Sequence, residues 1–276
     1  MVGSNPQTIA NKDLHNATCY GVEFIGNFDD VNVEGVNFKG SKGAVINPQN
    51  IKDKSFKNAK CAGVKFNGSF NEVKVIGTNF NGSTGAKINP QKICGRDLTY
   101  AHCADVLFTG PFDDVHVSGT FFRGSKGATI DPQKISCKSL YHSGCTDVKF
   151  IGSFDGVCVE GADFTGSMGT IIDPQEIYDR SLFKTNCYDI LFNGKFDDVD
   201  IREAQFKGSK GAVINPQKVR DRNFDGTQCA DVLFINDFSN IKMDKYTNFD
   251  GSNYDELQTG AREIDFEIKL KKLIKK

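Results

Sequence analysis

The side chains that chemistry would need recur along this chain instead of converging. A Gly-Ser-Lys-Gly-Ala loop runs from Gly40 to Ala44, and later copies open at Gly82, Gly124, Gly166 and Gly208. Glycines beside Ser and Lys would suit a phosphate cradle, but such a loop needs a strand before it and a helix N-terminus after it. Here Ile46-Asn47-Pro48-Gln49 follows, and the lysine seen at Lys42, Lys126 and Lys210 becomes Thr84 and Met168 in alternate copies. A bulged corner needing glycine's positive φ is the expected role. Paired acids, Asp29-Asp30, Asn71-Glu72, Asp113-Asp114 and Asp197-Asp198, with Asp155-Gly156 in one copy, would suit calcium if they gathered. The histidines His15, His102, His116 and His142 are not paired with a serine, cysteine or carboxylate at recurring positions. Nucleophile, base and orienter must meet in one pocket, so no enzyme, catalytic residue or cofactor is expected.

Nine cysteines invite a disulfide or zinc reading. Six of them, Cys19, Cys61, Cys103, Cys145, Cys187 and Cys229, fall 42 residues apart and are therefore one repeat position. Cys94, Cys137 and Cys158 stand outside that register, and no close CxxC pair exists for zinc, so no metal is expected. The chain has 276 residues, with 23 Phe, 28 Gly and no Trp, and its net charge is −1. That balance does not advertise direct nucleic-acid binding. The opening MVGSNPQTI lacks a basic-then-apolar leader, and no stretch approaches the roughly 18 apolar residues of a membrane span. A soluble, cytoplasmic protein without a membrane span is expected.

The elements that position these residues are set by a 42-residue period beginning at Gly21, Gly63, Asp105, Asp147, Asp189 and Asp231. Inside it the apolar residues follow neither helical spacing nor simple alternation. They run Leu14, Cys19, Phe24, Phe28, Val33, Phe38, Ile46 and Ile51, and Phe56 restarts the cycle. Most steps are five residues; one is four, and one, across the glycine loop, is eight.

This pattern resembles the pentapeptide-repeat family, whose unit centres on an inward Leu or Phe with Asp, Asn or Ser before it and a small residue two before it. Ala17-Thr18-Cys19, Ala101-His102-Cys103 and Ala162-Asp163-Phe164 fit, as do Asp13, Ser55, Asp97, Ser139, Ser181 and Asn223 before the first centre. The resemblance covers roughly Thr8 to Phe249 and is looser than the strict repeat because of the four- and eight-residue steps. It implies an all-β solenoid, a right-handed quadrilateral β-helix of about twelve coils, two per repeat, over residues 1–252. At ~4.8 Å per coil the stack would be about 55 Å long.

Folded in this way, side one stacks Leu14, Val33, Phe56 and Val75; side two Cys19, Phe38, Cys61 and Phe80; side three Phe24, Ile46, Phe66 and Ile88; side four Phe28, Ile51, Phe70 and Ile93. The expected core columns are the six repeat cysteines with Phe24, Phe66, Phe108, Phe150, Phe192 and Phe234. Repeat cysteines two coils apart would lie ~9.6 Å from each other, beyond the Cα separation of about 7 Å that a disulfide tolerates. Acid pairs at the same ~10 Å spacing cannot supply the roughly six to eight oxygens of one calcium ion. Asp29, Asp30, Asp113, Asp114, Asp197 and Asp198 instead make an acidic edge that is the candidate interaction surface. A basic column, Lys12, Lys54, Arg96, Lys138, Arg180 and Arg222, would bond corner groups or face a partner, and glutamines after proline, Gln7 to Gln217, would form a ladder bonded coil to coil.

A coil edge left open is a template for pairing, so the N-terminal coil is a candidate homodimer surface. Residues 253–276 are expected to cap the other end, as a helix with Leu257, Ala261, Ile264 and Ile268 on one face or as a strand over Asp265–Leu270. The basic tail from Lys269 would also suit weak contact with anionic lipid. Functionally, the pattern points to a non-catalytic scaffold or protein-interaction module with an unidentified protein partner. The resemblance supplies two alternatives: a bacterial DNA-mimicking protein that binds DNA gyrase, and a targeting portion of an effector. The feeble acidity argues against the first, and the lack of an attached catalytic domain against the second.

Overall fold

The computed structural model describes residues 13–258. Residues 1–12 and 259–276, which include Gln7, Lys12, the N-terminal dimer surface and most of the expected cap, lie outside them. The fold class is the right-handed quadrilateral β-helix. Chain contacts divide it into two units, one of Met1–Gly152 with Gly166–Met168 and one of Ser153–Thr165 with Gly169–Lys276.

In the first unit, parallel pairs join Val45–Ile46 to Lys65–Phe66, Lys87–Ile88 to Leu107–Phe108 and Thr129–Ile130 to Lys149–Phe150. In the second, Ile171–Ile172 pairs with Leu191–Phe192 and Val213–Ile214 with Leu233–Phe234. Among the described residues all ten strands are two residues long, and the rest of the ladder is single parallel bridges such as Asp13 to Asn32, Thr18 to Asn37 and Asn37 to Lys60. A five-residue side leaves room for little more, since a corner must follow each bridge.

Asp, Asn and Ser before the centres explain how those corners close. The backbone N–H of His15 donates to Asp13 Oδ1 (2.8 Å), that of Asn81 to Asn79 (2.9 Å) and that of Thr99 to Asp97 (2.8 Å). The second unit repeats this at Asp163, Asp200 and Asn223. Each is an Asx turn, in which a short side chain substitutes for a backbone acceptor at the bend.

The small position two before the side-two centres alternates with the same logic. Ala59 and Ala101 simply fit, whereas Thr78 and Thr120 are fully buried and donate to the carbonyls of Phe56 and Leu98, both at 2.8 Å. A buried hydroxyl is tolerated there because the coil below offers a free carbonyl lone pair.

The interior is filled by rings. Phe66, Phe70 and Phe80 meet edge to face at centroid distances of 5.1, 5.9 and 5.6 Å, and Phe192, Phe196 and Phe206 repeat the triad. Such geometry suits the aromatic quadrupole.

Side three departs from the simple column drawn from the sequence. Ile46 does lie beside Phe66, but Glu23 bridges Lys42, four residues before Ile46. The eight-residue step therefore enters side three in register with the coil below, bulges through Gly43 and Ala44, rejoins the ladder where Val45 pairs with Lys65, and then places Ile46 inward. At the far end, a short helix, Tyr254–Gln258, sets the Tyr254 ring against Phe249 (4.2 Å, stacked) and Phe238 (4.6 Å).

Candidate functional site

Side four and its corner gather the charged columns. The four-residue step forces a tight bend, and the second residue of each pair takes the left-handed conformation: Asp30 (φ 55°), Glu72 (59°), Asp114 (58°), Gly156 (68°), Asp198 (58°) and Asn240 (55°). Asp, Asn and Gly are the residues that visit this region at least cost. The bend holds because its N–H reaches the next coil, Asp30 to the Asn50 carbonyl (2.8 Å) and Asp198 to that of Lys218 (2.7 Å).

The acids on this edge are matched by the basic column. Lys54 meets Glu72 at 3.2 Å, Arg96 meets Asp114 at 3.0 Å and Arg180 meets Asp198 at 3.4 Å. In the copy where Gly156 replaces the acid, Lys138 turns to Gln133 Oε1 instead, at 2.7 Å. Asp197 pairs with Lys218 at 3.2 Å, and Arg220 reaches Asp179 (3.3 Å) and Asp198 (3.7 Å). Asp29 accepts from Asn50 Nδ2 at 2.7 Å. Asp30, Asp113 and Asp114 are exposed. These pairs are solvated and each contributes at most about 1 kcal/mol. Their larger effect is on the field, because a cation beside Glu72, Asp114, Asp197 and Asp198 offsets part of the edge's negative potential.

The glutamines differ from the expected ladder. Gln49 donates from Nε2 to the carbonyls of Ser69 (2.9 Å) and Asn71 (2.7 Å), and Gln91 donates to that of Asp113. Gln175 and Gln217 clasp the matching corners in the second unit. Glutamines two coils apart are too distant to bond one another, so each amide instead satisfies the carbonyls that the bend in the next coil leaves unpaired.

The glycine loops lie at the bulged corner. Both glycines of each copy have positive φ, as at Gly124 (81°) and Gly127 (76°). The loop serines Ser41, Ser83, Ser125 and Ser209 are buried with no hydrogen-bond partner for their hydroxyls. They point inward and present nothing to a phosphate.

All nine cysteines are free thiols. The six of the repeat column are buried, Cys94 and Cys158 are half-buried and Cys137 is exposed. Phe24, Phe66, Phe108, Phe150, Phe192 and Phe234 are buried too, at 5 % exposure or less. Burial pushes the thiols of Cys61, Cys103, Cys187 and Cys229 far above the ordinary range. The thiolate is the reacting species. Iodoacetamide at pH 8 is therefore expected to label Cys137 first and to leave the column unlabelled until denaturant is added, as peptide mass mapping would read. Labelling of Cys103 at the rate of Cys137 in native buffer would contradict its placement.

Among the described residues, no group of three or more His, Cys, Asp or Glu is arranged to hold a metal ion, and no helix is long and apolar enough to cross a membrane. A surface cleft of about 860 Å³ in the second unit is lined by Phe183, Arg202, Glu203, Asp225, Asp244 and Tyr246 among others. Its arginine is already committed. Arg202 grips the buried Asp200 through two hydrogen bonds (2.9 and 2.5 Å). Burial tends to raise the Asp200 pKa, but the Arg202 bonds outweigh it and hold the carboxyl below its usual range.

Five-residue sides, Asx corners and inward Phe and Cys rows in both units decide the architecture. The fold is that of a pentapeptide-repeat protein. No family model and no curated protein matches the sequence. Among solved structures, the chain is similar to HetL, a pentapeptide-repeat protein involved in heterocyst differentiation regulation from the cyanobacterium Nostoc, at 12 % identity, covering 73 % of this chain and 79 % of that one with a TM-score of 0.23. It is also similar to QnrB1, a plasmid-mediated fluoroquinolone resistance protein, at 11 % identity, covering 88 % and 89 % of the two chains with a TM-score of 0.19. The fold assignment rests on the coil geometry and not on these likenesses.

One feature of this β-helical surface escapes a column-by-column reading of the sequence. Tyr100, His102, Phe121, Tyr141 and His142 form an exposed aromatic block on sides one and two of the first unit. Its signal is a departure from the repeat, because equivalent positions elsewhere in that unit hold Asn58, Lys60, Asn79 and Thr18.

Proposed function

We propose that the protein is a non-catalytic β-helical scaffold that works by binding another protein. The observation that carries this reading is the filled interior: Phe and Cys side chains occupy the centre of each unit, so the outward residues are what the fold has to offer a ligand. A surface of short strands and fixed corners presents side chains at regular spacing with little entropy left to lose, which favours protein recognition.

The DNA-mimic alternative needs an uncompensated acidic surface. Ion pairing along the corner weighs against it, since Glu72, Asp114, Asp197 and Asp198 each have a cation at 3.0–3.4 Å. The expected result is that micromolar protein leaves the supercoiling activity of purified DNA gyrase unchanged, with or without a quinolone. Inhibition or protection in that assay would replace the scaffold reading with the mimic.

A further inference from the structure

The aromatic block is the place where the first unit abandons the chemistry of its other coils. Residues 99–102, 118–121 and 141–144 are the same corner and face in successive coils, and none of them is Asp, Glu, Lys or Arg. In a chain with 25 % charged residues that depletion, together with Tyr100, Phe121 and Tyr141 exposed at 62, 44 and 42 %, is the composition of an interface core and not of ordinary surface.

The rings are also held in place. His102 stacks on Phe121 with centroids 4.6 Å apart and planes 20° apart, and Tyr141 meets His142 edge to face at 4.2 Å. Two glycines make this possible. A Cβ at Gly119 would stand 2.6 Å from Tyr100 Cε1, and one at Gly144 would stand 2.9 Å from Phe121 Cδ1. Phe121 bridges Gly144 in the ladder, so the stack that begins at His102 and Phe121 meets a rung with no side chain. One face of the Phe121 ring is covered by imidazole, and the next rung, Gly144, brings no side chain of its own against the ring.

We propose that this rung is a docking site for an uncharged aromatic side chain carried by an extended segment of a protein partner, stacked on Phe121 beside Gly144. The inference rests on the interaction-module reading and names its surface. Size selects the occupant. Three coils at ~4.8 Å by a five-residue side cover on the order of 250 Å², far below the roughly 800 Å² per partner of a stable protein interface. A second copy of this chain is thus poorly served, whereas one anchored side chain in a short segment fits. The lack of formal charge selects an uncharged anchor, and a pre-stacked ring is an entropically inexpensive platform.

The capped peptide acetyl-Gly-Trp-Gly-amide is a direct probe, because the chain has no Trp and the indole fluorescence belongs to the peptide alone. Titrated at millimolar concentration against isotopically labelled protein, it is expected to produce saturable shifts at the amides of Phe121 and Gly144, while acetyl-Gly-Ala-Gly-amide produces none. Phe121→Asn and Gly144→Thr install residues found in the same column at Asn79 and Thr18, and should retain the fold by circular dichroism. Each is expected to weaken probe binding about tenfold or more. Unsaturable shifts, or equal binding by wild type and both folded variants, would overturn the site. A protein partner recovered equally well by wild type and F121N would also overturn it while leaving the interaction-module reading intact.

Discussion

Phe80→Ala is expected to cost about 3–5 kcal/mol, the range for truncating a fully buried aromatic residue. Phe80 has no solvent exposure and sits edge to face with Phe66 at 5.9 Å and Phe70 at 5.6 Å. No neighbour can relax into the space, because each inward residue is fixed by bridges above and below, here Phe80 N–H to the His102 carbonyl at 2.9 Å and Cys61 N–H to that of Asn79 at 2.8 Å. In a stack held by nearest-neighbour contacts, the loss should also be local. Urea denaturation is expected to show a lowered midpoint, with hydrogen exchange accelerated first around residues 61–103. A cost below about 1 kcal/mol would mean that the ring is not part of a close-packed interior.

Gly127→Ala is the second large effect, and it separates two reasons for a glycine. Gly127 has φ 76°, and a Cβ there would stand 2.6 Å from the Phe108 carbonyl oxygen, a backbone atom that cannot move aside. Gly124 in the same loop has φ 81°, but its Cβ would meet nothing nearer than Ala104 Cβ at an ordinary 3.4 Å. Gly124→Ala should therefore cost about 1–2 kcal/mol, the left-handed penalty alone. Gly127→Ala should cost about 3 kcal/mol or more, because the collision adds to that penalty. Thermal or urea unfolding of the two variants under one condition reads the difference. Equal costs would show that the bulge accommodates a side chain and that Gly127 serves only its φ angle.

The parts of the fold that were legible in the sequence are those that repeat with a period of 42. Inward Cys and Phe positions, the Asp or Asn at the corners, and the glycine loop all recur at that spacing, and each has a local physical reason to do so. Relations that cross from one coil to the next were harder to read. Lys54 with Glu72, Arg96 with Asp114 and Arg180 with Asp198 are all separated by 18 residues, an offset set by the 19-residue ladder step and not by the repeat. Both columns are visible in the sequence, but their pairing appears only when one coil lies on another. The glutamines teach the same lesson: a column of identical residues suggested mutual bonding, whereas the next coil's carbonyls are the nearer acceptors. The glycine loop announced a bulged corner ahead of Ile46, but not its register, since an eight-residue step does not say where its extra residues leave the ladder.

The candidate site was the least legible part, because repetition draws attention to positions that copies share. Asp29, Asp113 and Asp197 stood out as a repeated edge, yet the edge is woven with cations and amides from the protein itself. Phe121 and Gly144 were inconspicuous because each occurs once in its column. A scaffold whose copies share one structural job has to specify its partner through such departures.

Site-specific photo-cross-linking in the native cell tests this most directly. A benzophenone side chain is placed in turn at Tyr141, within the aromatic block, and at Asp113 on the charged corner, both of them exposed positions where the fold should be indifferent to the change. The account predicts a discrete adduct with one other protein from position 141 and none from position 113. Folded protein that gives no protein adduct from either position, or an adduct only from position 113, would contradict it.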